Sequence, residues 1–338
     1  MRTDIDATEI LHVIRGPMVE SSHRGHVAVW HHDDGLVASF GDPGLRTFPR
    51  SAVKMIQALP LVESGAADAA GLSSAQLALA CASHRGMAIH TDMVLSWLSS
   101  IGRSEADLRC GAHWPYDDEA MRDLVRAGGS PAQRHNNCSG KHTGFLTLAR
   151  HLEAGPEYLE IDHPVQRAVR SALEELSGET CDEYGIDGCS APNFVMTLSG
   201  FARALSAFAA ASDIGGRRGE AMARLTGAMM AHPEYVAGEG QACTRLMRAM
   251  EGRAAIKTGA EGVFAAIVPE KRLGIAVKIE DGATRASEAA IARLLVGAGV
   301  LDPEHPDARA LMHGPTLNRR GIETGHFELA SPLAGWRL

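Results

Sequence analysis

The chain has 338 residues, 45% of them hydrophobic and 22% charged, a composition that suits a soluble globule with one large domain or two interleaved ones. Its formal charge of −8 and the lack of any basic run argue against a nucleic-acid partner, and no apolar stretch nears the roughly 18 residues of a membrane span. The opening residues, 1–8, are too acidic and polar for a secretory signal, and six scattered cysteines suit a reducing compartment, so a cytoplasmic location is expected.

Residues 9–16 and 26–32 alternate or run apolar as strands do, Asp33-Asp34-Gly35 makes a turn, and 36–40 forms a further strand. This opening is antiparallel. Residues 51–64 read as a helix bent at Pro60. Helical periodicity then dominates, in segments 74–82, 88–101, 117–127, 143–153, 164–175, 200–211, 219–231 and 242–250. Strands return at 262–268 and 272–279, a helix covers 283–298, and the tail from His305 is loop-rich. The pattern predicts an α/β fold of the α+β kind, an antiparallel sheet flanked by helices with a large helical subdomain. The sheet subdomain is expected to be discontinuous, residues 1–50 and 251–338, with 51–250 mainly helical and one catalytic cleft between them.

Ser51 and Lys54 stand three residues apart, on one face of a helix. There an uncharged Lys54 amine can take the Ser51 hydroxyl proton and create a nucleophile. The plain alternative is Ser51 as a helix cap and Lys54 reaching to solvent. Lys257-Thr258-Gly259, at the start of a strand-like segment, reverses that balance. Serine β-lactamases, penicillin-binding proteins and serine-lysine glutaminases share this order of motifs, which points to acyl transfer.

Two further polar blocks stand out. Ser83-His84-Arg85 follows a helix, and Arg85 is able to clamp a carboxylate, although a polar helix end capped by Gly86 reads equally well. The run His135-Asn136-Asn137-Cys138-Ser139-Gly140-Lys141-His142 is too polar for an apolar buried element, so it lines a site or sits in solvent. Cys138 and Cys189, in Asp187-Gly188-Cys189-Ser190, offer two thiolates, with His135, Lys141 or His142 to complete a metal shell. A disulfide between them suits a cytoplasmic protein less well. Cys81, Cys110, Cys181 and Cys243 carry no assignable role.

Taken together, Arg50-Ser51-x-x-Lys54, Cys81-Ala-Ser83-His84-Arg85-Gly, the His135–His142 run, Asp187-Gly-Cys189-Ser-Ala-Pro and Lys257-Thr-Gly-Ala-Glu-Gly resemble the rhizobial-type L-asparaginase family, over about residues 9 to 330. The resemblance implies hydrolysis of L-asparagine to L-aspartate and ammonia on a fold similar to serine β-lactamases and glutaminases. It implies Ser51 as nucleophile with Lys54 as base, a second pair of Ser83 and Lys257, and zinc held by Cys138, Lys141 and Cys189. Arg50, His84, Arg85, Asn137, Asp187, Thr258 and Gly259 would line the substrate, in a homodimer. The oxyanion would rest on backbone N–H groups of Ser51 and of the strand near Thr258 and Gly259. The rivals are a glutaminase or other small amidase on the same scaffold, and a non-catalytic, metal-holding amino-acid sensor. A penicillin-recognising enzyme is disfavoured because its Ser-x-Asn element has no counterpart at the usual spacing.

Overall fold

A computed structural model describes residues 6–338, so the first part of the segment judged too acidic for a secretory signal lies outside the described residues. The strands in chain order are β1 (Thr8–Arg15), β2 (Met18–His31), β3 (Gly35–Phe40), β4 (Arg46–Thr47), β5 (Tyr184–Ile186), β6 (Pro192–Phe194), β7 (Met196–Thr197), β8 (Ala255–Thr258), β9 (Val263–Val268), β10 (Leu273–Ile279), β11 (Pro315–Leu317) and β12 (Glu323–Leu329). The chain divides into two compact units. One comprises the stretch ending at Ala52, Met196–Ala210 and Arg245–Leu338; the other comprises Val53–Val195 and Ala211–Thr244.

The first unit is built on an antiparallel sheet of order β11-β12-β1-β2-β10-β9-β8, with β3 also on β2. The fourteen-residue β2 makes this possible, pairing with β1 through its first half and with both β3 and β10 through its second. Every residue of β9, Val-Phe-Ala-Ala-Ile-Val, is buried, which requires cover on both faces of the sheet. The helices Leu198–Ala209 and Thr284–Gly297 pack on these inner strands. The sheet and its helices are the α+β arrangement expected from the sequence.

The second unit surrounds one helix, Lys54–Glu63, whose residues Lys54 to Val62 are all buried. A helix enclosed on all sides belongs at the centre of a helical unit, and helices Ser74–Ala80, Ser139–His151, Pro164–Ser177 and Gly216–Ala231 pack around it. Among the described residues no helix is long and apolar enough to cross a membrane.

Three expectations are corrected. The helix expected at 51–64 opens with a tight 3-10 turn, Arg50–Val53, and becomes α-helical only at Lys54. The helix expected at 143–153 starts at Ser139, so Lys141 and His142 are helical. The tail is not loop-rich: it holds helix Pro306–His313 and β12, which pairs with β1 from Leu11 opposite Leu329 to Arg15 opposite Gly325. With a mostly polar sequence, β12 is specified by the edge it joins and not by an apolar run of its own.

Candidate active site

In the sheet unit, Ser51 lies half-buried in the 3-10 turn, directly after Arg50, whose φ of 51° puts it in the left-handed region. A non-glycine residue there is strained, a state that persists where the surroundings enforce it. Ala52 N–H closes the turn on the Pro49 carbonyl at 3.1 Å. The end of β8 lies against this turn. A Cβ on Gly259 would stand 3.0 Å from the Pro49 carbonyl oxygen and 3.1 Å from Ala52 N, so the Lys-Thr-Gly sequence needs its glycine to approach so closely. Lys257 is fully buried and its Nζ donates to the Thr258 carbonyl at 2.7 Å. Gly259 N–H is engaged by the Val263 carbonyl at 2.8 Å, which removes it from the oxyanion donors expected near Thr258 and Gly259.

In the helical unit, Lys54 is buried and its Nζ donates to the Ala82 carbonyl, to Ser83 Oγ at 3.0 Å and to Cys138 Sγ at 3.0 Å. Among the described residues no carboxylate pairs with it. Ser83 is placed by the helix Ser74–Ala80, which starts in a reciprocal cap between Ser73 and Gln76 and stops at Cys81. The backbone beyond is tied down, with Ser83 N–H on the Val236 carbonyl at 2.9 Å and His84 N–H on the Asn137 carbonyl at 3.1 Å. His84 Nδ1 accepts from Gly86 N–H, so its Nε2–H donates to Ser139 Oγ at 2.9 Å. Burial first, then the charges of His90 and Lys54, hold the His84 imidazole neutral, well below its usual pKa. Arg85 is half-buried and donates to the Tyr116 carbonyl.

The polar run 135–142 is buried apart from half-buried Asn137, and its own side chains explain how. Asn136 donates to the carbonyls of Cys110 and Gly111 and accepts from Cys138 N–H. Gly140 lets the new helix close on its neighbour, since a Cβ there would stand 2.3 Å from the Leu79 carbonyl oxygen. One turn on, Lys141 Nζ lies 3.1 Å from Cys189 Sγ. Cys189 is presented by a tight turn in which the Asp187 carboxylate accepts from Gly188 N–H and Asn193, and Ser190 takes a φ of 68°. Asp187 thus has a structural task. The neighbouring Cys138 thiol, ahead of the Lys141 charge, holds Cys189 well below the usual thiol pKa. In turn Cys189, then burial, pushes Cys138 up to about 12. Burial opposes the charge on Lys141, but the Cys189 and Cys138 sulfurs outweigh it and keep the ammonium.

The L-asparaginase II family model matches residues 11–329. The chain belongs to the L-asparaginase II family. No curated protein matches its sequence. Solved structures that it resembles include Mglu in its native form (15% identical, TM-score 0.43, covering 81% of this chain and 63% of that one). A β-lactamase from Mycobacterium bovis is 14% identical, with TM-score 0.40, covering 78% of this chain and 89% of that one. A β-lactamase from Sphaerobacter thermophilus is 16% identical, with TM-score 0.35, covering 79% and 86%. The chain spans 63% of the length of Mglu.

In this L-asparaginase II family member, no disulfide joins Cys138 to Cys189, and no group of three or more His, Cys, Asp or Glu is assembled to hold a metal among the described residues. A metal at Cys138 and Cys189 would therefore need Lys141 as its third ligand. Two neighbouring sulfurs, with a primary amine 3.1 Å from one of them, form a donor set that fits a soft-to-borderline ion such as zinc, with Lys141 giving up its proton. His135 lies away from the sulfurs in a cap of its own, its Nδ1 accepting from Ala132 N–H. His142 faces Tyr158, 2.9 Å from Nδ1 to the phenol oxygen, while its Nε2 is buried with no partner.

Two residues that matter here carried no sequence signal. His113 Nε2 accepts from Asn137 N–H at 2.9 Å, and Tyr158 OH bridges Arg109 N–H and His142. Both act on backbone or on a distant ring, and neither belongs to a motif.

Proposed function

We propose that this chain is an amidohydrolase, an L-asparaginase that acts through an acyl-enzyme on Ser51. The family match over residues 11–329 carries the reading. Two local features support it. Lys54 is buried with no carboxylate partner, and its Nζ meets Ser83 Oγ at 3.0 Å. Gly259 brings the Lys-Thr-Gly sequence against the Ser51 turn.

In this scheme the Lys54 amine takes the Ser51 hydroxyl proton as Oγ attacks the carboxamide carbon of L-asparagine. The C–N bond then breaks and ammonia leaves with a proton relayed through Ser83 and Lys257. Water attacks the ester, releasing L-aspartate and restoring Ser51. Arg85, half-buried, supplies a cation for the substrate's α-carboxylate. Cys138, Cys189 and Lys141 would hold zinc, which when bound supplies a fixed positive centre for orienting the amino-acid end. Ser51 already supplies the nucleophile, so no step depends on the ion.

The test is ammonia release from L-asparagine and L-glutamine by the wild type and Ser51→Ala, with and without zinc after chelation. Asparagine turnover should fall by roughly a thousandfold or more in Ser51→Ala. Full activity of that variant would overturn the serine mechanism. Turnover of glutamine alone would make the protein a glutaminase, and binding without turnover would make it a sensor.

A further inference from the structure

The C-terminal part of the sheet unit contains a cavity of about 670 Å³, within the size range of small-molecule sites. Arg293, Val296, Leu301, Met312 and Leu329 are among its lining residues, with Asp302 and Arg337 at its edge. None of the residues assigned above to amide hydrolysis lines it.

Arg293 makes this cavity unusual. It is 7% exposed, on the helix Thr284–Gly297, and has no ion-pair partner among the described residues. Nε donates to the Ala334 carbonyl at 2.8 Å and Nη2 to the Trp336 carbonyl at 2.5 Å, but Nη1 is buried without any partner. A guanidinium is always charged and has five donors to satisfy, so an uncompensated one in the interior is costly. The other cations differ in kind. Arg253 is matched by Glu270, at 2.6 Å from Nη2, whereas Arg337 is exposed and adds to the positive field. Val296, Leu301, Met312 and Leu329 give the cavity its apolar lining, and His313 lines it as well.

We propose that this cavity is a binding site for a small organic monocarboxylate with an apolar body, its carboxylate compensating Arg293 and its body lying on the Val296–Leu329 wall. One uncompensated cation matches one negative charge. A phosphate or dicarboxylate would place a second charge near Asp302 and against the apolar wall.

Isothermal titration with hexanoate, with 1-hexanol as its neutral counterpart and with inorganic phosphate tests this on the full chain. Hexanoate should bind at millimolar concentration and shift the fluorescence of Trp336, while hexanol and phosphate should not. Arg293→Met should weaken hexanoate binding about tenfold or more, the loss expected for a charged hydrogen bond. Because that variant also frees the Ala334–Trp336 segment, Val296→Glu serves as the second variant: half-buried Val296 becomes a carboxylate on the wall, and binding should be lost with the circular dichroism spectrum unchanged. No binding of hexanoate to the wild type, equal binding of hexanol or phosphate, or undiminished binding to Val296→Glu would each overturn the proposal.

Discussion

At the scale of single residues, His84 shows how burial turns a motif residue into a pH-dependent element. It is fully buried, its two nitrogens are fixed by Gly86 N–H and Ser139 Oγ, and it is held neutral in the folded chain. Because its folded pKa is depressed, its stabilisation is complete above the unfolded value near 6.5 and is lost as pH falls below it, when only the unfolded chain takes the proton. One such group steepens the fall of stability by up to about 1.4 kcal/mol per pH unit. Melting temperatures of wild type and His84→Asn between pH 7.5 and 5 should show a lower starting point but a shallower decline in the variant. Parallel declines would show that His84 does not carry the effect. The motif containing His84 was legible in the sequence. Its role was not, because the burial that holds it neutral, the ring at 90 and the hydroxyl at 139 that takes its Nε2–H are set by the folded chain.

At the scale of elements, the two lysine motifs are joined by backbone packing. Gly259 follows strand β8 directly, and the absence of a Cβ lets that backbone lie against the turn containing Ser51. Gly259→Ala should force the turn to shift, at a cost of about 1–3 kcal/mol, the range for overpacking a tight site. Ammonia release should fall with it, by about a hundredfold if the nucleophile is displaced by as much as 1 Å. An unchanged melting temperature together with unchanged turnover would rule out this contact as a constraint. The helix boundaries teach a related lesson. Apolar periodicity located the helices near 51–64 and 143–153, but the first begins as a 3-10 turn and the second begins four residues early. Its early start rests on polar residues, Asn136, Ser139 and Lys141, satisfied by distant partners, and periodicity of apolar residues is blind to them.

At the scale of the whole molecule, the sheet is completed by the chain's last strand. β12 pairs with β1 over Leu11 to Arg15, covering the edge of a strand whose Ile10, Leu11 and Val13 are buried. Ending the chain after His313 should expose that edge, an invitation to aggregation. The truncated protein should be insoluble or lose its near-ultraviolet circular dichroism; a soluble, cooperatively melting product would show that β12 is dispensable.

The sequence by itself determined what is local: the antiparallel opening, most of the helices, and the residue types that hydrolysis of an amide requires. These follow from side-chain period and turn chemistry within a few residues of one another. Only the tertiary structure decided that Gly259 lies against the Ser51 turn, that Lys141 meets Cys189 beside Cys138, that β12 joins β1, and that Arg293 is buried without a counter-charge. Each is a contact between groups far apart in the chain, and the free energy of such a contact depends on a neighbour that local sequence does not encode.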